Sequence, residues 1–268
     1  MNSDKINPGK LALITGASSG LGIALAEDLA RRGYDLILTA RSAAPMQALA
    51  ARLRQSHSIA VTVETADLSQ PGSVQSLATR LNGQGLQPTM LIANAAFGLN
   101  AAFVTHDADR LNAMLHLNIV SLAELAHLYG GRMKAAGAGH IMFVASIAAF
   151  QATPLLGAYG ASKAFVLSLG ESLHVELAPT VGVTVLCPGY METGFGAVAG
   201  FEPDGMARRT ALPAGKVATI GVDAMLRGQP VVVAGAANKA LVGLARHIPR
   251  MTAARIAYRA SGGAAHKA

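Results

Sequence analysis

Residues 10–22 read KLALITGASSGLG, and the reading of this stretch decides the fold. The apolar run 10–15 has the length and composition of a buried strand. It passes without a spacer into a loop carrying Gly16, Gly20 and Gly22, and a helical pattern over 20–33 starts inside that loop. Glycine at these places lets the chain turn tightly and lets a diphosphate approach the backbone, with the helix N-terminus facing the negative charge. A glycine-rich loop alone is a weak sign. Between the first strand and first helix of a βαβ unit it is a strong one.

The rest of the chain repeats the alternation. YDLILTA (34–40) reads as a strand, 43–55 as a helix, IAVTVE (59–64) as a strand and 71–82 as a helix. TMLIAN (89–94) precedes one long helix over 107–136, and HIMFVAS (140–146) precedes a helix over 157–178. GVTVLC (182–187) and, after a loop and short helix, PVVVAG (230–235) complete the strands. Short runs rich in β-branched residues, separated by helices, predict a parallel sheet of about seven strands covered on both faces. With right-handed crossovers this is an α/β, doubly wound fold in a single domain.

Composition narrows the class. The 268 residues are 51% hydrophobic and 14% charged, without repeats or low-complexity runs. A single cysteine, Cys187, excludes an internal disulfide framework and fits a reducing, cytoplasmic setting. The N-terminal MNSDKINPGK has no apolar core, so no signal peptide is expected. Residues 135–162 lack Asp, Glu, Lys and Arg, yet Gly137, Gly139, Gln151, Pro154 and Gly157 break them into a strand, a loop and a helix start. A membrane span is therefore rejected there. No HExxH or other metal-ligand spacing is present.

The net charge of +7 is unevenly placed. Residues 205–268 hold ten Lys and Arg against one acid, Asp223, whereas residues 1–204 hold twelve bases and fourteen acids. We expect no nucleic acid partner. Pro249 should divide the tail into helices near 237–247 and 250–260. Two readings stand for it: a solvated flap packing beside the substrate lid or a neighbouring subunit, and weak attachment to an anionic membrane surface.

YGASK (159–163) places Tyr159 and Lys163 one turn apart on one helix face. A phenol beside an ammonium is a candidate proton donor whose pKa the positive charge lowers. Alone the pair is weak. It stands, however, downstream of TGASSGLG (15–22), Asp67 in ADLS, ANAA (93–96), Asn118 in HLNIVS and Ser146 in VASIA, and upstream of PGYMET (188–193). In that order these motifs resemble the short-chain dehydrogenase/reductase family over about residues 8–235.

The resemblance implies a Rossmann-fold NAD(P)-dependent oxidoreductase with a catalytic set of Asn118, Ser146, Tyr159 and Lys163. It implies a dinucleotide held by Gly16, Ser18, Ser19, Gly20, Leu21, Gly22, Asp67 and Leu68 on one side. Asn94, Ala95, Ala96, Tyr159, Lys163, Pro188, Gly189 and Thr193 hold it on the other. Asp67 is expected at the adenine, Lys163 at the ribose hydroxyls, and Asn118 at a water relaying protons to Lys163. Ala93 and Ala96 depart from the family's NNAG. The helices at 107–136 and 157–178 commonly pair subunits in the family, so a homo-oligomer, dimer or tetramer, is expected.

The second strand ends Leu38-Thr39-Ala40 with no acid, and Arg41 and Ser42 follow. An arginine there suits a 2′-phosphate, so NADP(H) is expected over NAD(H). Ser146, Phe97, Phe150, Tyr190 and Met191 are the expected substrate contacts, with 190–212 as a lid over the catalytic domain 1–236 and 237–268 as a basic helical extension. This lining favours an apolar ketone, aldehyde or secondary alcohol. The competing reading is a non-catalytic dinucleotide-binding regulator or scaffold, against which the intact set of four residues speaks.

Overall fold

A computed structural model describes residues 9–201 and 205–260. Residues 202–204 of the expected lid and 261–268 of the extension lie outside them. The strands are β1 (Leu11–Thr15), β2 (Asp35–Ala40), β3 (Val61–Thr65), β4 (Met90–Ala93), β5 (Gly139–Val144), β6 (Val181–Cys187) and β7 (Val231–Val233). They form one parallel sheet in the order β3-β2-β1-β4-β5-β6-β7.

Period-two alternation divides each central strand between two cores. Ala12, Ile14, Leu36, Leu38 and Ile92 face one, where α1 (Gly20–Arg31), α2 (Ala43–Ser56) and α9 (Ala214–Leu226) pack. Leu11, Leu13, Ile37, Leu91 and Phe143 face the other, against α3 (Ser73–Gly83), α5 (Leu122–Ala136) and α6 (Gly157–Glu176). Both faces are covered, which is why the strands read as unbroken apolar runs. Truncating one of these buried leucines to alanine costs about 2–5 kcal/mol.

A charged clasp joins α1 to α9. The buried Asp28 carboxylate accepts from Arg31 Nη2 and Arg32 Nε, each at 2.6 Å, and from Thr219 Oγ1 at 2.7 Å. Burial alone would raise its pKa, but hydrogen bonds from Thr219, Arg32 and Arg31 bring it below the ordinary value.

The long helix expected over 107–136 runs from Ala108 to Ala136, with one change of pitch inside it. It runs as α4 (Ala108–Leu115), a π-helical turn at His116–Ser121, and α5. The wider turn brings Asn118 into the interior, and π-turns of this kind often mark functional sites. After β6 come α7 (Phe195–Ala199) and α8 (Gly205–Arg209), and α10 (Ala236–Ala245) and α11 (Arg250–Ala260) follow β7. Among the described residues no helix is long and apolar enough to cross a membrane.

Candidate active site

The strand order reverses between β1 and β4, which opens a crevice at their carboxyl ends. Thr15 and Asn94 tie the two ends together. Asn94 N–H and Ala95 N–H donate to Thr15 Oγ1 at 3.0 and 2.9 Å, and Asn94 Nδ2 donates to the Thr15 carbonyl at 2.9 Å. Thr15 is not among the expected site residues, although it opens the glycine motif.

The glycines are required by contact as well as conformation. Gly16 has φ +67°, and a methyl there would lie 2.9 Å from Ala95 Cα. At Gly22 a methyl would lie 2.0 Å from the Gly16 carbonyl oxygen. The loop thus closes on itself, leaving its backbone free to approach a ligand.

One cleft of about 590 Å³ runs from this loop across the sheet. Ser18, Ser19, Gly20, Leu21, Arg41, Ser42, Asp67, Leu68, Ala96, Pro188, Gly189 and Thr193 all line it. Asp67 Oδ1 accepts from Ser69 N–H at 3.1 Å and Ser69 Oγ at 2.7 Å, closing the turn after β3. Burial would raise the Asp67 pKa, but the Ser69 hydrogen bonds and the Arg41 charge hold it below the ordinary value. Sequence reasoning missed Ser69; an Asx-type turn two residues past an aspartate was the available signal. Ala93 points into the core below the sheet, whereas Ala96 lines the cleft.

The proton-handling groups meet on the other side of the crevice. Ser146 follows β5, and its Oγ accepts from Ala148 N–H at 3.2 Å. Tyr159 and Lys163 stand on α6, the ammonium 5.7 Å from the phenol ring centroid. Lys163 Nζ donates to the Val144 carbonyl at 2.7 Å, deep in the protein. Asn118 does not line the cleft; its amide clamps Phe97. Phe97 N–H donates to Asn118 Oδ1 at 3.2 Å, and Asn118 Nδ2 donates to the Phe97 carbonyl at 2.9 Å and Ser162 Oγ at 3.1 Å. Asn118 is therefore a strut between the cleft wall and α6, with its amide hydrogens occupied by protein groups.

The expected lowering of the Tyr159 pKa by Lys163 is corrected by the burial of both groups. Burial dominates and pushes the phenol up to about 12, while the Ser146 hydroxyl pulls it back in part. The same burial pushes the Lys163 ammonium down to about 8, against a partial counter-effect of Cys187. Desolvation at these buried positions outweighs the pairing of the two groups.

A stability consequence follows. Between about pH 8 and 10.5 the unfolded chain holds a proton on Lys163 that the folded protein has released. Stability from this group therefore rises with pH across that window. In urea titrations, wild type should gain about 3 kcal/mol relative to Lys163→Met between pH 8 and 10.5. A constant difference across the window would refute the buried, destabilised ammonium.

The far side of the cleft is apolar. Phe97, Tyr190, Met191 and Phe195 line it, and the Phe195 ring sits 5.3 Å from that of Tyr159. Gly98 is held to glycine by the same wall: a methyl there would come 3.1 Å from Phe195 and 3.4 Å from Tyr159. Phe150, expected at the substrate, lies outside the cleft. Its ring joins the core beneath the 3₁₀ turn Ile147–Phe150, with the Arg246 guanidinium 5.8 Å above it. The extension enters the site as well. Leu241 lines the cleft, and the buried Asn238 donates to the Ala234 carbonyl at 2.7 Å beneath Gly189. A methyl on Gly189 would lie 2.5 Å from Asn238 Nδ2.

These residues fit a dinucleotide. The glycine cradle leaves no room for a side chain of its own, and the buried Thr39 hydroxyl lines the cleft without a partner among the described residues. Among the described residues no group of His, Cys, Asp and Glu could hold a metal ion.

Known proteins share this fold. The short chain dehydrogenase family profile matches residues 10–200. The chain belongs to this family. An uncharacterized oxidoreductase, SSP0419, of Staphylococcus saprophyticus is 32% identical over 185 residues, 69% of this chain and 79% of that one. A short-chain dehydrogenase from Sphingobium yanoikuyae in complex with NADPH superposes with a TM-score of 0.78 at 32% identity, covering 89% of this chain and 94% of its own. A bulky-bulky ketone specific alcohol dehydrogenase from Comamonas testosteroni gives 0.74 at 31%, covering 90% and 93%. A family member from Burkholderia phymatum in complex with NAD gives 0.78 at 27%, covering 91% and 94%. The protein is an oxidoreductase of this family that uses a nicotinamide dinucleotide.

Proposed function

We propose that the protein is an NADPH-preferring carbonyl reductase acting on an apolar ketone or aldehyde, or on the secondary alcohol in reverse. The observation that carries this reading is the single cleft whose glycine-lined end and apolar end meet at Tyr159. When bound, the dinucleotide supplies or accepts the hydride.

The chain's own residues do the rest. A phenol with its pKa near 12 stays protonated through neutral pH, so Tyr159 can donate its proton to the substrate oxygen as a general acid. Ser146, beside it, donates a hydrogen bond to the same oxygen and stabilises the charge that develops there. The Lys163 ammonium, fixed to Val144, would hold ribose hydroxyls and lend a positive charge below the phenol. Phe97, Tyr190 and Phe195 exclude water and favour an apolar substrate. An NADPH-consumption screen over aliphatic, aromatic, ketoacyl and steroidal carbonyls tests the substrate class. Turnover confined to charged or sugar carbonyls would overturn it.

Arg41 supports the cofactor preference: it lines the adenosine end of the cleft just past β2, with no acid before it. A charge-assisted pair contributes about 1.5–3 kcal/mol, so Arg41→Ala should raise KM for NADPH by about tenfold to a hundredfold. KM for NADH should hardly change. Equal losses for both cofactors would refute the role.

A further inference from the structure

We propose that α10 and α11 lay the mouth of the substrate cleft on an anionic lipid surface, from which the apolar carbonyl enters. The identity of what enters rests on the proposed function; the docking surface does not.

The mouth itself is apolar. Leu241 and Val198 line the cleft while 38% and 53% exposed, so the opening lies between the last helices and the lid. On α10 the exposed residues Ala237, Leu241 and Leu244 fall at i, i+4 and i+7 and form one stripe, away from buried Asn238 and Val242. Leu244 is 61% exposed, and α11 adds Met251 at 67% and Ile256 at 54%.

The charge of the two helices has one sign. Lys239, Arg246, Arg250, Arg255 and Arg259 are all exposed, and residues 236–260 contain no acid. None of the five enters an ion pair among the described residues. Before α10 the charges are balanced, since residues 1–235 hold sixteen bases against fifteen acids. A second copy docking face to face would bring like charges together. Nucleic acid would match the charge but leave Leu244, Met251 and Ile256 in water. An anionic bilayer surface satisfies both features, taking the apolar side chains to the acyl boundary and the cations to the headgroups.

The test uses the full chain and a triple variant, Arg250→Glu, Arg255→Glu and Arg259→Glu, at positions outside the cleft. Both are sedimented with phosphatidylglycerol/phosphatidylcholine vesicles and with phosphatidylcholine alone. Wild type should partition onto the anionic vesicles, weaken with salt, and lose roughly a hundredfold or more in the variant, about fivefold per cation. Reduction of a long-chain ketone dissolved in the vesicles should be faster with anionic lipid for wild type only, while a water-soluble ketone is reduced equally by both proteins. Absence of partition, equal partition onto neutral vesicles, or an unaffected variant would each overturn the proposal. So would self-association or DNA binding that the variant loses without any vesicle binding. Partition without faster reduction of the lipid-dissolved ketone would overturn the placement of the mouth. Sedimentation is read without turnover, so failure of the proposed reaction would show separately, as loss of activity on the water-soluble ketone.

Discussion

Tyr159→Phe should lower kcat for carbonyl reduction by about 10² to 10⁴ with dinucleotide binding unchanged. The substitution deletes one hydroxyl and keeps the ring. That ring packs against Phe195, 5.3 Å away, and belongs to a small apolar cluster with Leu99 and Met114. The fold therefore loses little. What is lost is the proton that the substrate oxygen needs as its charge develops, and the nearby Lys163 ammonium is turned to the Val144 carbonyl. Stopped-flow titration of the cofactor alongside steady-state rates separates the two effects. Retention of more than about a tenth of the wild-type rate would mean that Tyr159 is not the donor.

Gly22→Ala should abolish measurable dinucleotide binding and destabilise the fold by about 3 kcal/mol or more. The added methyl would lie 2.0 Å from the Gly16 carbonyl oxygen and 2.8 Å from its carbon. Both are backbone atoms in a loop pinned by Asn94, so no side chain can swing aside. Gly131→Ala is the control. Gly131 is exposed within α5, and a methyl added there would meet nothing within 4 Å. That variant should gain about 1 kcal/mol from better helix propensity. Thermal melts and cofactor fluorescence titrations of the pair would decide. Tight cofactor binding by Gly22→Ala would show that the loop can open without cost.

The strands were legible because a sheet buried on both faces needs unbroken apolar runs, and 11–14, 36–38 and 90–93 are such runs. The motifs at Gly16, Asp67, Asn94, Ser146 and Pro188 were legible because each sits where a strand ends, and YGASK because its spacing puts two groups on one helix face. The direction of the Tyr159 shift was not. Spacing places a lysine beside a tyrosine, but burial, which dominates both groups, is set by elements that close over them from elsewhere in the chain. The π-turn was equally hidden, since HLNIVS carries no proline or glycine to interrupt the helical pattern. Phe150 misled for a related reason: hydrophobicity near a catalytic serine does not say whether a ring turns toward the cleft or the core.

Asn238 beneath Gly189 has a consequence for the order in which the site is made. The glycine loop, the serine and the tyrosine all leave the ribosome before the residue that packs beneath Gly189. A nascent chain that has produced β6 holds Ser146, Tyr159 and Lys163 but not the support under Gly189. Competence for turnover should then arrive late and abruptly during synthesis, when α10 docks, rather than grow as each motif emerges.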